Sequence, residues 1–170
     1  RLPLTARPAT YTDERASDGA LSLRLGIAAT DQPAYAETRA VQTVDLPPDA
    51  ESLVLVADIW RTTSGEGRSR QSLLAQVGEE RYTLFDDALD LPEWHTVAYD
   101  LTLLAGSRAQ IVFAVHNSGG ADRAAMGVDN VRLYSCRQPA QLAESTARAA
   151  SSPALSLPLP LIALLPESAT

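Results

Sequence analysis

SLVLVADI, at Ser52–Ile59, is a dense apolar run that carries one charged residue, Asp58. A run of this kind is typical of a strand at the centre of a sheet, because both of its faces are covered. A second run, AQIVFAVH, occupies Ala109–His116 and is closed by Ser118-Gly119-Gly120. We therefore expect a β-sheet protein with these two segments at its centre.

Shorter segments with strand character surround the two central runs. In ALSLRLGI, at Ala20–Ile27, apolar residues alternate with others, which is the period of a half-buried strand. The sequence around Gly78-Glu79 is typical of a hairpin turn between two strands. About eight short strands with little helical periodicity predict an all-β jelly-roll sandwich of antiparallel strands. The further expected strands are Val41–Leu46, Ser72–Val77, Arg81–Phe85, Trp94–Leu101 and Met126–Tyr134.

The C-terminal segment Leu155–Leu165 reads LSLPLPLIALL and carries no charge. Most of its leucines share one parity, so an extended chain places them on one face. Pro158 and Pro160 lack N–H groups on one lateral edge, whereas the opposite edge keeps the N–H groups of the intervening leucines. The segment is therefore suited to pairing on one side only, as an edge strand does. The predicted assembly residues are Leu155, Leu157, Leu159, Leu161 and Leu165.

These patterns divide the chain into four segments. We expect an N-terminal arm at 1–19, the sandwich at 20–137, an Ala/Ser-rich linker at 138–153 and an apolar donor strand at 154–170. The donor strand could complete a neighbouring copy, complete its own sandwich, or stay disordered or on a membrane surface. We expect exchange between copies, and hence a non-catalytic structural subunit that forms a homopolymer, either a filament or a pilus-like fibre.

Composition and charge argue against several classes of function. The chain of 170 residues has a net charge of −7 and no basic stripe, which argues against nucleic-acid binding. The donor strand is shorter than the roughly 20 apolar residues that span a bilayer, so no membrane span is expected. The sequence begins at Arg1, and we expect an extracellular or cell-surface protein whose signal peptide has been removed.

Motifs for catalysis do not occur in the sequence, and we expect no enzyme activity. There is no nucleophile elbow, no zinc-binding His-Glu-x-x-His and no phosphate-binding glycine loop. His95 and His116 fall in separate predicted strands. No cofactor is expected, although the acidic loop with Asp86, Asp87 and Asp90 offers candidate ligands for a structural Ca²⁺.

Five stretches follow a known family pattern in the same order along the chain: Pro8–Gly26, Ala40–Pro47, Ser52–Trp60, Glu93–Gly120 and Ala124–Cys136. Their order resembles the carbohydrate-binding-module-like (galactose-binding-like) jelly rolls of secreted bacterial proteins. The resemblance implies a jelly-roll fold. The alternative function is a secreted carbohydrate-binding or adhesive module that acts as a monomer on polysaccharide, with Trp60, expected at an exposed tip where a central strand ends, as candidate glycan contact. The resemblance also implies that Asp129, in the dipeptide before the last strand, contributes to a structural Ca²⁺ site.

Two departures from this family pattern underlie the assembly prediction. The usual opening strand, of the Asn-Gly-Gly-Phe-Glu type, has no counterpart between Arg1 and Pro8. An apolar strand instead follows the place where such domains end. Because a sandwich that lacks a strand exposes apolar surface and unpaired backbone edges, we expect a groove that a terminal strand fills.

Overall fold

Residues 5–27, 30–65 and 67–137 are described by a computed structural model, and in this part of the chain the strands form two five-stranded sheets. A 3-10 helix at Thr102–Leu104 follows the eighth strand. The all-β sandwich predicted from the sequence is confirmed, and the described residues contain ten strands in place of about eight. The strands are β1 (Thr5–Pro8), β2 (Thr10–Thr12), β3 (Ser22–Gly26), β4 (Tyr35–Asp45), β5 (Ala50–Ser64), β6 (Arg70–Val77), β7 (Glu80–Asp87), β8 (Leu91–Asp100), β9 (Arg108–Ser118) and β10 (Arg123–Arg137).

The strand order shows repeated crossing between the sheets. Sheet A has the order β1-β4-β9-β6-β7, and sheet B has the order β2-β3-β10-β5-β8. All pairings are antiparallel except that of β1 with β4, which is parallel. Only β2–β3 and β6–β7 join strands that are consecutive in the chain, which is the connectivity of a jelly roll and not of a meander.

The core lies between the two segments that the sequence placed at the centre. The inward face of β5 carries the buried residues Leu53, Leu55 and Ile59. In the same core cluster, the other sheet contributes Phe113 and Val115 of β9. Each buried side chain of this size stabilises the fold by roughly 1.5–3 kcal/mol. Both runs are therefore confirmed as central strands, one in each sheet.

The opening of the chain differs from the expectation. The described part of residues 1–19, expected to be an arm without the usual first strand, contains β1 in sheet A and β2 in sheet B. Thr5, Thr10, Tyr11 and Thr12 favour extended backbone because they are β-branched or aromatic. Both strands are short, and each covers only part of the edge beside which it lies.

The predicted linker at 138–153 and donor strand at 154–170 lie outside the described residues, so both stay predictions. Within the part of the chain that the structure describes, no helix has the length and hydropathy needed to cross a bilayer.

Candidate functional site

An apolar groove opens between the sheets, beside the parts of β4 and β10 that no flanking strand covers. It has a volume of about 640 Å³, and its floor is formed by core residues Leu55, Ile111 and Phe113. At its rim the side chains of Val131 and Leu133 are 47% and 37% exposed. Apolar surface that is exposed next to the core, and not scattered singly, is typical of a binding surface.

The groove is open because the flanking strands stop short. In sheet B, β3 pairs with β10 only from Ala125 to Val128. In sheet A, β1 pairs with β4 only as far as Arg39. Among the described residues, no strand lies beside residues 131–137 of β10 or residues 40–45 of β4 on this side. The structure thus contains a groove with unpaired edges, as expected, although short opening strands are present.

Trp60, the candidate glycan contact, lies on the outer face of sheet B. It sits within β5, four residues before the strand ends, and not at an exposed tip. Its five-membered ring fills the space above Gly127, where a Cβ would be 2.0 Å from the indole Nε1. The Arg15 guanidinium lies 5.7 Å from its ring centroid, and Trp94 packs edge-on at 6.3 Å. Trp60 therefore offers no open ring face for a sugar unless Arg15 moves.

A hydrogen-bonded network next to this aromatic pair ties the N-terminal segment to sheet B. The Ser17 hydroxyl lies 2.9 Å from a carboxylate oxygen of Asp58 and 3.0 Å from one of Asp129. The side-chain amide of Asn130 donates to Asp58 at 2.9 Å, and the Thr96 hydroxyl donates to it at 2.6 Å. Asn130 has a φ of 48°, at the bulge in β10, which aims its amide at this network.

The network lowers the pKa of both of its carboxyl groups. For Asp58, the hydrogen bond from Thr96 is the largest cause, followed by that from Asn130. For Asp129, burial alone would raise the pKa, but the backbone N–H groups of Asn130, Asp18 and Ser17 outweigh it and the pKa is lowered. Each donor prefers the charged carboxylate, so both groups favour ionisation in the folded state.

We expect the Asp58–Asp129 network to make the fold acid-sensitive. A carboxyl group with a lowered folded-state pKa stabilises the fold above its unfolded pKa of about 3.9, and this stabilisation is lost as the pH falls through the folded-state value. Asp129→Asn should therefore be less stable than the parent at pH 7 and should approach it near pH 3. Urea unfolding at several pH values measures this, with Asp13→Asn as a control outside the network. A stability loss that is the same at pH 7 and pH 3 would contradict the prediction.

The structure does not bring the four Ca²⁺ candidates together. Asp87 binds the Arg61 guanidinium at 2.6 Å, and Asp90 accepts from the Thr63 N–H at 3.1 Å. Asp86 lies in β7 of sheet A, whereas Asp129 belongs to the hydrogen-bonded network with Ser17 on sheet B. Among the described residues, no three His, Cys, Asp or Glu side chains are grouped so as to hold a metal ion.

The two histidines also lie apart. His95 is an exposed residue of β8 in sheet B, and His116 belongs to β9 in sheet A, where its ring meets Tyr35 edge-on at 5.4 Å. The structure therefore does not form a site from the two histidines.

A row of polar side chains crosses the outer face of sheet A. Gln110 of β9 lies opposite Thr43 of β4 on one side and Gln76 of β6 on the other, and Gln76 lies opposite Arg81 of β7. We call these four residues the polar row. Thr43, Gln76 and Gln110 also line a depression of about 300 Å³. Sequence reasoning missed the row, because it is formed only by the register between strands that are distant in the chain.

No protein-family model and no curated protein matches the sequence. Solved structures do resemble the fold. TmCBM61, solved in complex with beta-1,4-galactotriose, has a TM-score of 0.50 at 16% identity, with 76% of this chain and 82% of that chain covered. A family 16 carbohydrate binding module has a TM-score of 0.48 at 15% identity, with 75% and 85% covered.

A third similar structure contains a catalytic domain. The enzymatically active domain of tailspike protein 4 of bacteriophage CBA120 has a TM-score of 0.51 at 16% identity, with 76% of this chain and only 18% of that chain covered. At these identities the likeness is one of fold. The chain therefore has the jelly-roll sandwich fold that carbohydrate-binding modules adopt, and the resemblance predicted from its sequence is confirmed at that level.

Proposed function

We propose that the chain is a non-catalytic, extracellular module that binds polysaccharide. The observation that carries this proposal is the polar row on sheet A, and the fold shared with carbohydrate-binding modules supports it. The row takes one residue from each of four neighbouring strands, in the order Thr43, Gln110, Gln76 and Arg81. Neighbouring strands are spaced by about 4.8 Å, so the row extends over roughly 14 Å. That length suits a few sugar residues of an extended chain.

The side chains of the row have the chemistry that sugar hydroxyls require. A glutamine amide donates and accepts hydrogen bonds, and a guanidinium carries five donors in a plane. Adjacent hydroxyl groups of a sugar ring can meet such planar groups in pairs. Gln76 is held in place because its Nε2 donates to the Gly78 carbonyl at 2.9 Å, which reduces the entropy lost on binding. Since the two central members of the row, Gln76 and Gln110, are neutral, we expect an uncharged polysaccharide as ligand.

Removing both glutamines of the row should abolish most polysaccharide binding. Each side chain would lose hydrogen bonds of about 1 kcal/mol, so Gln76→Ala with Gln110→Ala should weaken binding about tenfold or more. Affinity electrophoresis through gels containing galactan, xylan or β-glucan measures the retardation. Gln32→Ala, an exposed glutamine outside the row, is the matched control. Equal retardation of both variants and the parent would contradict the assignment, and no retardation on any glycan would contradict the function.

A second candidate function is assembly by strand exchange, and the open groove is the observation that favours it. A strand from a neighbouring copy would pair with an unpaired edge and bury apolar side chains beside Leu133. Repeated head-to-tail contacts of this kind form a filament because they do not close. Light scattering of the full chain over a rising concentration series tests this: growth of the particles with concentration supports assembly, and a constant monomer mass contradicts it.

A further inference from the structure

We propose that Asp18 is a site of spontaneous covalent modification, where attack by the Gly19 backbone nitrogen converts the aspartate to isoaspartate. The modified residue then loosens the attachment of the N-terminal segment to Asp129. The site lies in the connection between β2 and β3 of sheet B. The proposal is independent of polysaccharide binding, because the polar row lies on the outer face of sheet A.

The residue type on each side of the reacting bond favours this reaction. An aspartate followed by glycine is the pair most prone to it, because no side chain shields the attacking nitrogen. Asp18 is the only aspartate in the sequence that is followed by glycine. Both residues are exposed, and no atom lies within 4 Å of the position that a Cβ of Gly19 would take. The closing ring and the solvent therefore have room at this site.

The local geometry already brings the reacting groups together. The Gly19 N–H donates to Oδ1 of Asp18 at 2.8 Å, so the carboxyl group lies beside the nitrogen that attacks it. Gly19 holds this position with a φ of 68°, a conformation that glycine adopts without strain. Groups that are held in contact lose little further freedom when they react. The folded connection therefore favours ring closure.

The reaction needs no reagent besides water. The Gly19 nitrogen attacks Cγ of the protonated Asp18 carboxyl group, an N–Cγ bond forms, and the Cγ hydroxyl leaves with the N–H proton as water. The product is a five-membered succinimide. Solvent water then adds to the former α-carbonyl carbon, and the bond from that carbon to the nitrogen breaks. The main chain now runs through Cβ and Cγ, and the α-carboxyl group becomes the side chain.

The extra main-chain atom falls in a segment that is fixed on both sides. The N–H groups of Ser17 and Asp18 donate to Oδ2 of Asp129 at 2.9 Å and 3.3 Å, and the Ser22 hydroxyl donates to the Arg15 carbonyl. Isoaspartate lengthens the main chain between these attachments by one bond of about 1.5 Å. The Asp18 N–H is already at the limit of hydrogen-bond distance, so we expect its bond to Asp129 to be lost first.

Asp129 provides a matched comparison within the same molecule. The Asn130 N–H donates to Oδ1 of Asp129 at 2.8 Å, and Asn130 also has a positive φ, of 48°. Unlike Gly19, however, Asn130 carries a side chain beside the nitrogen. The other carboxylate oxygen of Asp129 accepts hydrogen bonds from Ser17 and Asp18. We therefore expect Asp129 to stay unmodified under conditions that convert Asp18.

The test follows isoaspartate in the full chain during storage for several weeks at mildly acidic pH, below the unfolding temperature. Trypsin, which cleaves after arginine, yields the peptides Ala16–Arg24 and Ala124–Arg132, which have equal length and contain Asp18 and Asp129 respectively. Mass spectrometry with electron-transfer fragmentation distinguishes isoaspartate from aspartate. We expect at least tenfold more isoaspartate in Ala16–Arg24, preceded by a form lighter by one water. Equal conversion in both peptides, or none in Ala16–Arg24, would overturn the proposal.

Two variants test the route of the reaction. Gly19→Ala places a methyl group beside the attacking nitrogen and should slow the conversion at least tenfold. An unchanged rate would overturn the proposal, because the attack would then not come from this nitrogen. Asp18→Glu keeps the negative charge but would have to close a six-membered ring, and we expect it to stay unmodified. It replaces Gly19→Ala if that variant fails to fold.

Urea unfolding of the isolated isoaspartate form tests the loosening. We expect a lower urea midpoint than that of fresh protein at pH 7, and a smaller difference near pH 3, because protonated Asp129 gains less from the N–H donors. Asp18→Glu stored in the same way is the control and should keep its midpoint. An unchanged midpoint at pH 7, or an equal loss at both pH values, would contradict the loosening of the contacts to Asp129.

Discussion

Gly26→Ala should destabilise the sandwich by about 3 kcal/mol or more. Gly26 ends β3 with a φ of 87°, a conformation that costs an L-residue roughly 1–2 kcal/mol. A Cβ there would lie 2.3 Å from the Ala124 carbonyl oxygen and 2.8 Å from a Val115 methyl. The Ala124 carbonyl also accepts the Ile27 N–H at 2.9 Å, so it cannot withdraw without losing that bond. Overpacking of this kind adds about 1–3 kcal/mol.

Gly19→Ala is the matched control for this substitution. Gly19 has a φ of 68°, but no atom lies within 4 Å of the position of its Cβ. It therefore shows the cost of the backbone conformation alone, and the difference between the two variants is the cost of the contact with β10. Urea unfolding of both variants measures this difference. Similar losses would mean that β3 moves away from β10 without cost, and the close packing of these strands would then contribute little to stability.

Asp87→Ala should cost about 3 kcal/mol, because it leaves a buried guanidinium without its carboxylate. Arg61 is 5% exposed, binds Asp87 at 2.6 Å and lies 4.6 Å from the centre of the Phe85 ring. Removal of one partner of a buried pair costs about 3–5 kcal/mol, and the lower value applies since Asp87 is one-third exposed.

Two comparisons test this explanation by thermal unfolding. Arg61→Met combined with Asp87→Ala removes both charges, and we expect it to recover most of the lost stability because an apolar side chain suits the site. Glu37→Ala breaks the pair of Glu37 with Arg39, whose side chain is 53% exposed, and we expect a loss below about 1 kcal/mol. If the double variant were as unstable as Asp87→Ala alone, the loss would come from packing and not from an unpaired charge.

The alternation of residues along the sequence predicted where the strands lie better than it predicted which side chains meet across the two sheets. The hairpin around Gly78-Glu79 appears as β6 and β7 with Gly78 at a φ of 60°, because alternation and a turn residue act within a few positions. Gln71 is fully buried, and its amide donates to the carbonyls of Thr62 and Ala125. Nothing local to Gln71 indicates those two acceptors, which lie in the other sheet.

The candidate sites depended still more on distant pairing. Trp60 looked like a strand end because Ser52–Ile59 is the densest apolar run, yet β5 continues to Ser64. Its ring is covered because Gly127 has no side chain and Arg15 reaches across it, and neither contact follows from the residues beside Trp60. The groove could be anticipated from the leucine-rich segment, but its position depends on where β1 and β3 stop.

The place of β10 in sheet B has a consequence for biosynthesis. Although it is the last strand of the described fold, it lies between β3 and β5 and joins the β2–β3 pair to the β5–β8 pair. A chain emerging from the ribosome or an export channel can form the β6–β7 hairpin early, but it cannot assemble sheet B until Arg137 has followed. Sheet B is therefore completed late, and the edges of β3 and β5 that face β10 stay accessible to chaperones and proteases until then.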